Sequence, residues 1–212
     1  MARRLPVYLL LDTSGSMKGE PIEAVKVGLQ TMLNLLRQDP AALETVWLSI
    51  ITFDSEVKQL KPLTELDHFV LPQINVPQSG ATFLGKALEL LCACYDKEVM
   101  KNTADRKGDW MPLLFIMTDG SPSDIGLYRE MVLQVKNRHF GNIVACAAGP
   151  KAKEEYLKEL THVVVSLDTT DSNTFKLYFK WVSEAINVGN RSIGATSDPV
   201  VPPPPPEINI VI

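Results

Sequence analysis

The chain has 212 residues, 45% of them hydrophobic and 22% charged, with a formal net charge of −4. That is enough apolar material for one sizeable core, and a net negative chain lacks the basic face that nucleic acid requires. No apolar run approaches the roughly 18 residues that a membrane span needs. Arg3-Arg4 ahead of Leu5–Leu11 has the order of a signal peptide, but Asp12 cuts the run short and no small-residue cleavage site follows, so a cytoplasmic location is expected. Cys92 and Cys94 lie two apart on a predicted helix and face different ways, which makes them buried thiols rather than a metal pair.

Val7–Leu11 is a continuous apolar run, the pattern of a strand buried on both faces of a parallel sheet. It stops at Asp12, and Asp12, Ser14 and Ser16 then bring a carboxylate and two hydroxyls onto the loop at the strand's carboxyl end, where open α/β sheets bind ligands. Gly15 allows the tight turn that lets all three oxygens face one point, and hard oxygen donors so arranged suit Mg²⁺ or Ca²⁺.

Glu20-Pro21 opens a helix whose apolar face is Ile22, Val25, Leu29, Met32, Leu33 and Leu36, and Asp39-Pro40 breaks it. Thr45–Phe53 reads as a second strand, Asp54-Ser55 as a turn, and Glu56–Leu60 as a short antiparallel edge strand. Lys61–Gln78, with three prolines, is predicted to be mostly loop. A helix follows Ser79-Gly80-Ala81-Thr82, burying Leu84, Ala87, Leu88, Leu91 and Tyr95, and Lys101–Asp109 is a polar loop. Pro112–Met117 is a second fully buried strand, again ending at a carboxylate, in Thr118-Asp119-Gly120.

Further on, Ile125–Arg138 is predicted helical with Asp124 as its N-cap in preference to a place at the site rim, Asn142–Ala148 a strand, Lys151–Leu160 a helix and Val163–Leu167 a strand. Asp171 and Ser172 cap a last helix, Asn173–Val188. Gly189–Asp198 reads as coil. Pro202–Pro206 is a stiff spacer of about 15 Å, predicted to hold Glu207–Ile212 away from the domain. That final segment has strand character, so it either seeks a sheet edge of this domain, a second copy or a partner, or frays as a terminus. The alternation of strand and helix gives an α/β fold: a mostly parallel central sheet with one antiparallel edge strand and helices on both faces. The expected division is a folded domain over residues 1–190 and a proline-rich tail over residues 191–212.

Three loops at the carboxyl edge thus offer Asp12, Ser14, Ser16, Thr82 and Asp119. The set resembles the metal-ion-dependent adhesion site of von Willebrand factor A domains, with Asp-x-Ser-x-Ser, a Thr and an Asp in family order and in the expected contexts. Ala81 departs from the pattern, where the family often has a second Gly, and removes no ligand. The resemblance covers about Leu5 to Val188 and implies a Rossmann-like fold. It also implies a non-enzymatic, metal-dependent protein-interaction module in which Mg²⁺, or Ca²⁺ or Mn²⁺, bridges to an acidic or phosphorylated residue of a partner.

Leu9–Met17, Glu20-Pro21-Ile22 and Phe53-Asp54-Ser55 are most similar to the TerY-type proteins linked to tellurite resistance. That implies work alongside a protein kinase and a PP2C-type phosphatase in stress signalling. No cysteine follows Cys146, so the zinc ribbon of some relatives is not expected. The alternative is an Mg²⁺-dependent phosphotransfer protein or phospho-acceptor using Asp12. Against it, Ser14 stands where a phosphatase of the haloacid-dehalogenase type needs its general acid, and Pro150 precedes Lys151 where receiver domains use a Lys. His68, His139 and His162 are scattered, Asp54 reads as a turn residue, and Glu89 and Glu98 as helix-surface charges.

Overall fold

The computed structural model describes residues 3–78, 80–191 and 201–211. Seven strands form one sheet: β1 (Leu5–Asp12), β2 (Val46–Phe53), β3 (Val57–Glu65), β4 (Leu113–Thr118), β5 (Asn142–Ala148), β6 (Val163–Leu167) and β7 (Asn209–Val211). Their spatial order is β3-β2-β1-β4-β5-β6-β7, and β2, β1, β4, β5 and β6 run parallel. The helices are α1 (Glu20–Leu36), α2 (Pro40–Thr45), α3 (Leu84–Glu98), α4 (Ile125–Lys136), α5 (Glu154–Leu160) and α6 (Ser172–Arg191).

Side chains of β1 alternate between two cores. Val7, Leu9 and Leu11 join α1 and α6 on one face, and Tyr8 and Leu10 join α3, α4 and α5 on the other. Every residue of β1 and β4 is buried, as a doubly covered parallel sheet requires. On the first face α1 and α6 approach so closely at Gly28 that a Cβ there would sit 2.2 Å from Phe179 Cδ2. After β1 the chain moves to β2 on one side and later to β4 on the other, so the strand order reverses beside β1. That reversal opens a crevice at the carboxyl ends of β1 and β4.

Four boundaries differ from the expectation. Asp39-Pro40 breaks α1 but also begins α2, because the Asp39 carboxylate accepts from Ala41 N (2.9 Å) and Pro40 fits the first helical turn. β3 runs on through Pro62 to Glu65, which an edge strand tolerates because one side of its backbone needs no ladder partner. Residues 149–153 form a turn, Ala152 N to Gly149 O, and α5 starts only at Glu154. α6 continues to Arg191, so the expected coil begins later; residues 192–200 lie outside the described ones.

The tail is not held away from the domain. Trp181 Nε1 donates to Pro202 O (2.9 Å), Ile208 is buried in the first core, and β7 pairs antiparallel with β6. The sheet therefore has an antiparallel strand at each edge, β3 as expected and β7 in addition. Glu98 is more than a surface charge, since it accepts from Tyr8 Oη (3.1 Å) and Gln59 Nε2 (2.9 Å). The three cysteines are buried and free, and burial pushes the Cys94 thiol up to about 11. Among the described residues no helix is long and apolar enough to cross a membrane.

Candidate metal-binding site

Asp12 ends β1 opposite Phe53 of β2, and Leu11 pairs with Met117 of β4, so the loops after β1 and β4 leave the sheet side by side. Thr13 ties the first loop to β2: its N–H donates to Phe53 O (2.9 Å) and its hydroxyl to Asp54 Oδ2 (2.8 Å). Ser14 then leads into a single 3-10 turn, Gly15–Met17, anchored by the buried Met17. Gly19, at φ 88°, makes the reversal into α1 in a region that favours glycine.

Asp12 is 1% exposed. Its Oδ1 accepts from Ser14 N (2.8 Å) and its Oδ2 from Thr118 Oγ1 (2.6 Å). Burial pushes its carboxyl up to about 6, against the pull of the Ser14 and Thr118 donors. The Ser14 and Ser16 hydroxyls are 3.2 Å apart, and Ser16 Oγ donates to Asp119 Oδ1 (2.8 Å). Burial also raises the Asp119 carboxyl, opposed by the Ser16 hydroxyl and by the charge of Lys151. Asp12, Ser14, Ser16 and Asp119 thereby form one patch of oxygens at the mouth of the crevice.

Thr82 arrives from the third loop. Its N–H donates to Ser123 Oγ (2.9 Å), while Ser123 N donates back to Thr82 O (2.8 Å). The Thr82 hydroxyl sits against Gly120, where a Cβ would lie 3.5 Å from it, and so beside Asp119. Phe83 N donates to Asp54 O (3.0 Å), which locks this loop to the β2–β3 turn as well. Asp54, read from sequence as a turn residue, caps its own turn through Glu56 N (2.9 Å) and also holds the first and third loops together.

Asp124 does not cap α4 with its side chain; its carboxylate accepts from Gly85 N (3.0 Å) and Lys86 N (2.9 Å) and so caps α3. Gly85 is required there, since a Cβ would lie 2.6 Å from Tyr128 N. The sequence assigns no role to Thr118 or Ser123, and gives Asp54 and Asp124 local capping or turn roles in place of these cross-loop contacts. Their only local signal is that each is a small oxygen-bearing side chain next to a strand end or helix start.

The donor set is two carboxylates and three hydroxyls. Among the described residues there is no cluster of three or more His, Cys, Asp and Glu side chains suited to a metal. An ion held here would therefore sit on hard, largely neutral oxygens, which fits Mg²⁺, Ca²⁺ or Mn²⁺ better than a thiophilic metal. Among the described residues no ion pair reaches Asp12, so its buried charge has only neutral donors. A divalent cation would supply the compensation it lacks.

The family model for the von Willebrand factor type A domain matches residues 7–178. The chain belongs to that family. Its fold is shared with several solved structures, all at low identity. The pilus adhesin SpaC of Lactobacillus rhamnosus GG, in an open conformation, superposes with a TM-score of 0.69 at 14% identity, over 89% of this chain and 30% of the adhesin. Proximal thread matrix protein 1 of the mussel byssus, in a structure with a zinc-occupied MIDAS motif, gives 0.64 at 14% identity, over 85% of this chain and 47% of the mussel protein. BatB of Bacteroides thetaiotaomicron gives 0.57 at 16% identity, over 86% of this chain and 97% of BatB. This chain thus spans less than half of the mussel protein and of SpaC. A comparison with curated proteins gave no match.

Proposed function

We propose that this von Willebrand factor A domain is a non-enzymatic, metal-dependent protein-interaction module. Asp12, Ser14, Ser16, Thr82 and Asp119 would hold Mg²⁺, and an acidic or phosphorylated side chain of a partner protein would complete its coordination. The observation that carries this reading is the buried Asp12 carboxylate, which lacks a cationic partner and adjoins hydroxyls that open on the crevice. Neutral hydroxyls leave the ion more electrophilic than a ring of carboxylates would, so it retains affinity for an incoming anion. The mussel neighbour's zinc-occupied motif is consistent with a divalent ion on this fold.

The phospho-acceptor alternative fits less well. Ser14 stands where the general acid of such a reaction is needed, and the Asp12 carboxylate is held by Ser14 N and Thr118 Oγ1. The likeness of Leu9–Met17, Glu20-Pro21-Ile22 and Phe53-Asp54-Ser55 to TerY-type proteins supports a cytoplasmic role in tellurite resistance or stress signalling, with a protein kinase and a PP2C-type phosphatase as candidate partners.

Titration calorimetry with Mg²⁺ and Mn²⁺ tests the site. Wild-type protein binds one ion and Asp12→Ala binds none, while circular dichroism of the variant stays native because Asp12 lies at the sheet's edge and its loss opens no apolar cavity. Unaltered binding by Asp12→Ala would sink the assignment. Affinity purification with and without chelator then identifies the partner.

A further inference from the structure

The loop after β5 was set aside in the sequence because Pro150 separates Lys151 from the strand. β5 lies next to β4, with Thr118 opposite Ala147, so the chain leaves β5 beside Asp119. Gly149, at φ 85°, turns it back, with Gly149 N bonded to Leu167 O (2.7 Å) and Ala152 N to Gly149 O (3.3 Å). This pinned turn carries the exposed Lys151 on the loop that leaves the sheet next to Asp119.

Two further exposed lysines stand on the other loops of the same edge. Lys18 directly follows the Ser14–Met17 turn, and Lys86 opens α3 with its ammonium 4.4 Å from the centre of the Phe83 ring. Among the described residues none of the three is in an ion pair. Several acidic groups of this edge are engaged elsewhere: Asp54 by Thr13 and its own turn, Asp124 by the start of α3, and Asp171 by the start of α6. Glu20, Glu89 and Glu154 lie two or three residues along the chain from Lys18, Lys86 and Lys151 without a salt bridge to them among the described residues.

We infer that the site selects a phosphorylated side chain of a partner protein, its phosphate held between the metal ion and Lys151. This rests on the metal-site reading above. Two aspartates offset one divalent ion, so the ammonium of Lys151 beside it adds to the attraction for an anionic ligand. A carboxylate brings one negative charge and two oxygens, one of them spent on the metal. A phosphomonoester brings about −1.5 to −2 and three oxygens, so two remain for the ammonium and the solvent after one binds the ion. Lys18 and Lys86 add a positive rim that favours the dianion and raises its rate of encounter.

The test uses the full chain loaded with Mn²⁺, whose binding is read first by electron paramagnetic resonance. The probe is N-acetyl-phosphoserine amide, whose phosphorus NMR line broadens when it reaches the bound ion, with N-acetyl-glutamate amide and inorganic phosphate as competitors. Wild-type protein broadens the line and the glutamate analogue competes weakly. Lys151→Gln loses about tenfold in phosphoserine affinity, on the scale of one charge-assisted contact, and Lys151→Arg retains most of it. Glutamate affinity changes less than phosphoserine affinity in Lys151→Gln.

If Mn²⁺ does not bind, the metal-site reading falls and this inference with it. If Mn²⁺ binds but Lys151→Gln leaves phosphoserine affinity intact, or glutamate competes equally, the phosphate selection alone is overturned. Inorganic phosphate binding as tightly as the phosphoserine analogue would make this a free-anion site and overturn the partner class.

Discussion

Two buried aspartates at opposite ends of the sheet show what separates a neutralised carboxylate from one left without a counter-charge. Asp109, at the amino end, meets the Arg4 guanidinium through two contacts (2.8 and 2.6 Å) and also accepts from Met100 N (2.8 Å). Arg4 is itself fixed, by Glu98 O (2.8 Å) and by the Trp47 ring 4.7 Å away, and next to it Arg3 lies 3.6 Å over the Trp110 ring. That carboxylate is neutralised within the fold. Asp12, at the carboxyl end and equally out of solvent, is given one hydroxyl and one N–H and no cation. The fold completes the first charge by itself and leaves the second with neutral donors alone among the described residues.

Removing the cation from the self-contained end gives the largest effect. Arg4→Ala strands the Asp109 carboxylate, whose side chain is fully covered, and should cost about 3–5 kcal/mol of unfolding free energy in urea titrations, the cost of breaking a buried pair by deleting one partner. Metal affinity at the other end should not change, since the two sites share no contact. A variant that lost metal binding in step with stability would mean the two ends are coupled and the contrast is false.

The uncompensated end should respond in the opposite sense. With the Asp12 carboxyl at about 6 in the folded metal-free protein and 3.8 when unexposed to the fold, the native state binds more protons than the unfolded state between those values. Stability contributed by this group is therefore present below about pH 4 and lost as pH rises through 6. Asp12→Asn has no such loss. Measured without metal, its stability relative to wild type should rise by about 3 kcal/mol between pH 4 and pH 7, at 1.36 kcal/mol per pKa unit. Saturating Mg²⁺ should reverse the ranking at pH 7, because the ion stabilises only the wild type. A flat difference across that range would show that Asp12 already has a counter-charge.

How much of this was legible in the sequence follows from the range of each interaction. β5 and β6 have the bounds their apolar runs predict, Asn142–Ala148 and Val163–Leu167, because burial on both faces writes a continuous hydrophobic signal. Asp12, Ser14 and Ser16 are neighbours in the chain, so their convergence could be read directly, whereas Thr82 and Asp119 were placed on the same edge by the strand-and-helix alternation and joined to the set by the family pattern. The supports were not visible. Thr118 reaches Asp12 across 106 positions and Thr13 reaches Asp54 across 41, and no periodicity encodes either pair. The tail does seek a sheet edge of this domain, as its strand character allows, but the proline spacer does not hold it away. Five prolines do exclude a helix, but Ile208 follows them into a core position that only the packed α6 creates.

Asp124 sharpens the contrast at its smallest scale. A local reading makes it the N-cap of α4, the helix that begins at the next residue, yet its carboxylate serves Gly85 N and Lys86 N of α3. A charge that satisfies two orphan N–H groups at a helix start contributes about 1–2 kcal/mol, so Asp124→Ala should destabilise the domain by that amount. The location of the damage distinguishes the two assignments. If Asp124 caps α3, amide exchange should quicken at Gly85 and Lys86 and leave the first turn of α4 unchanged. Because α3 directly follows Thr82, metal affinity should also fall by a few-fold, the scale of a fraction of one cap energy, while Asp12 and its two donors stay in place. Faster exchange confined to Gly126 and Leu127 would return Asp124 to α4 and detach it from the site.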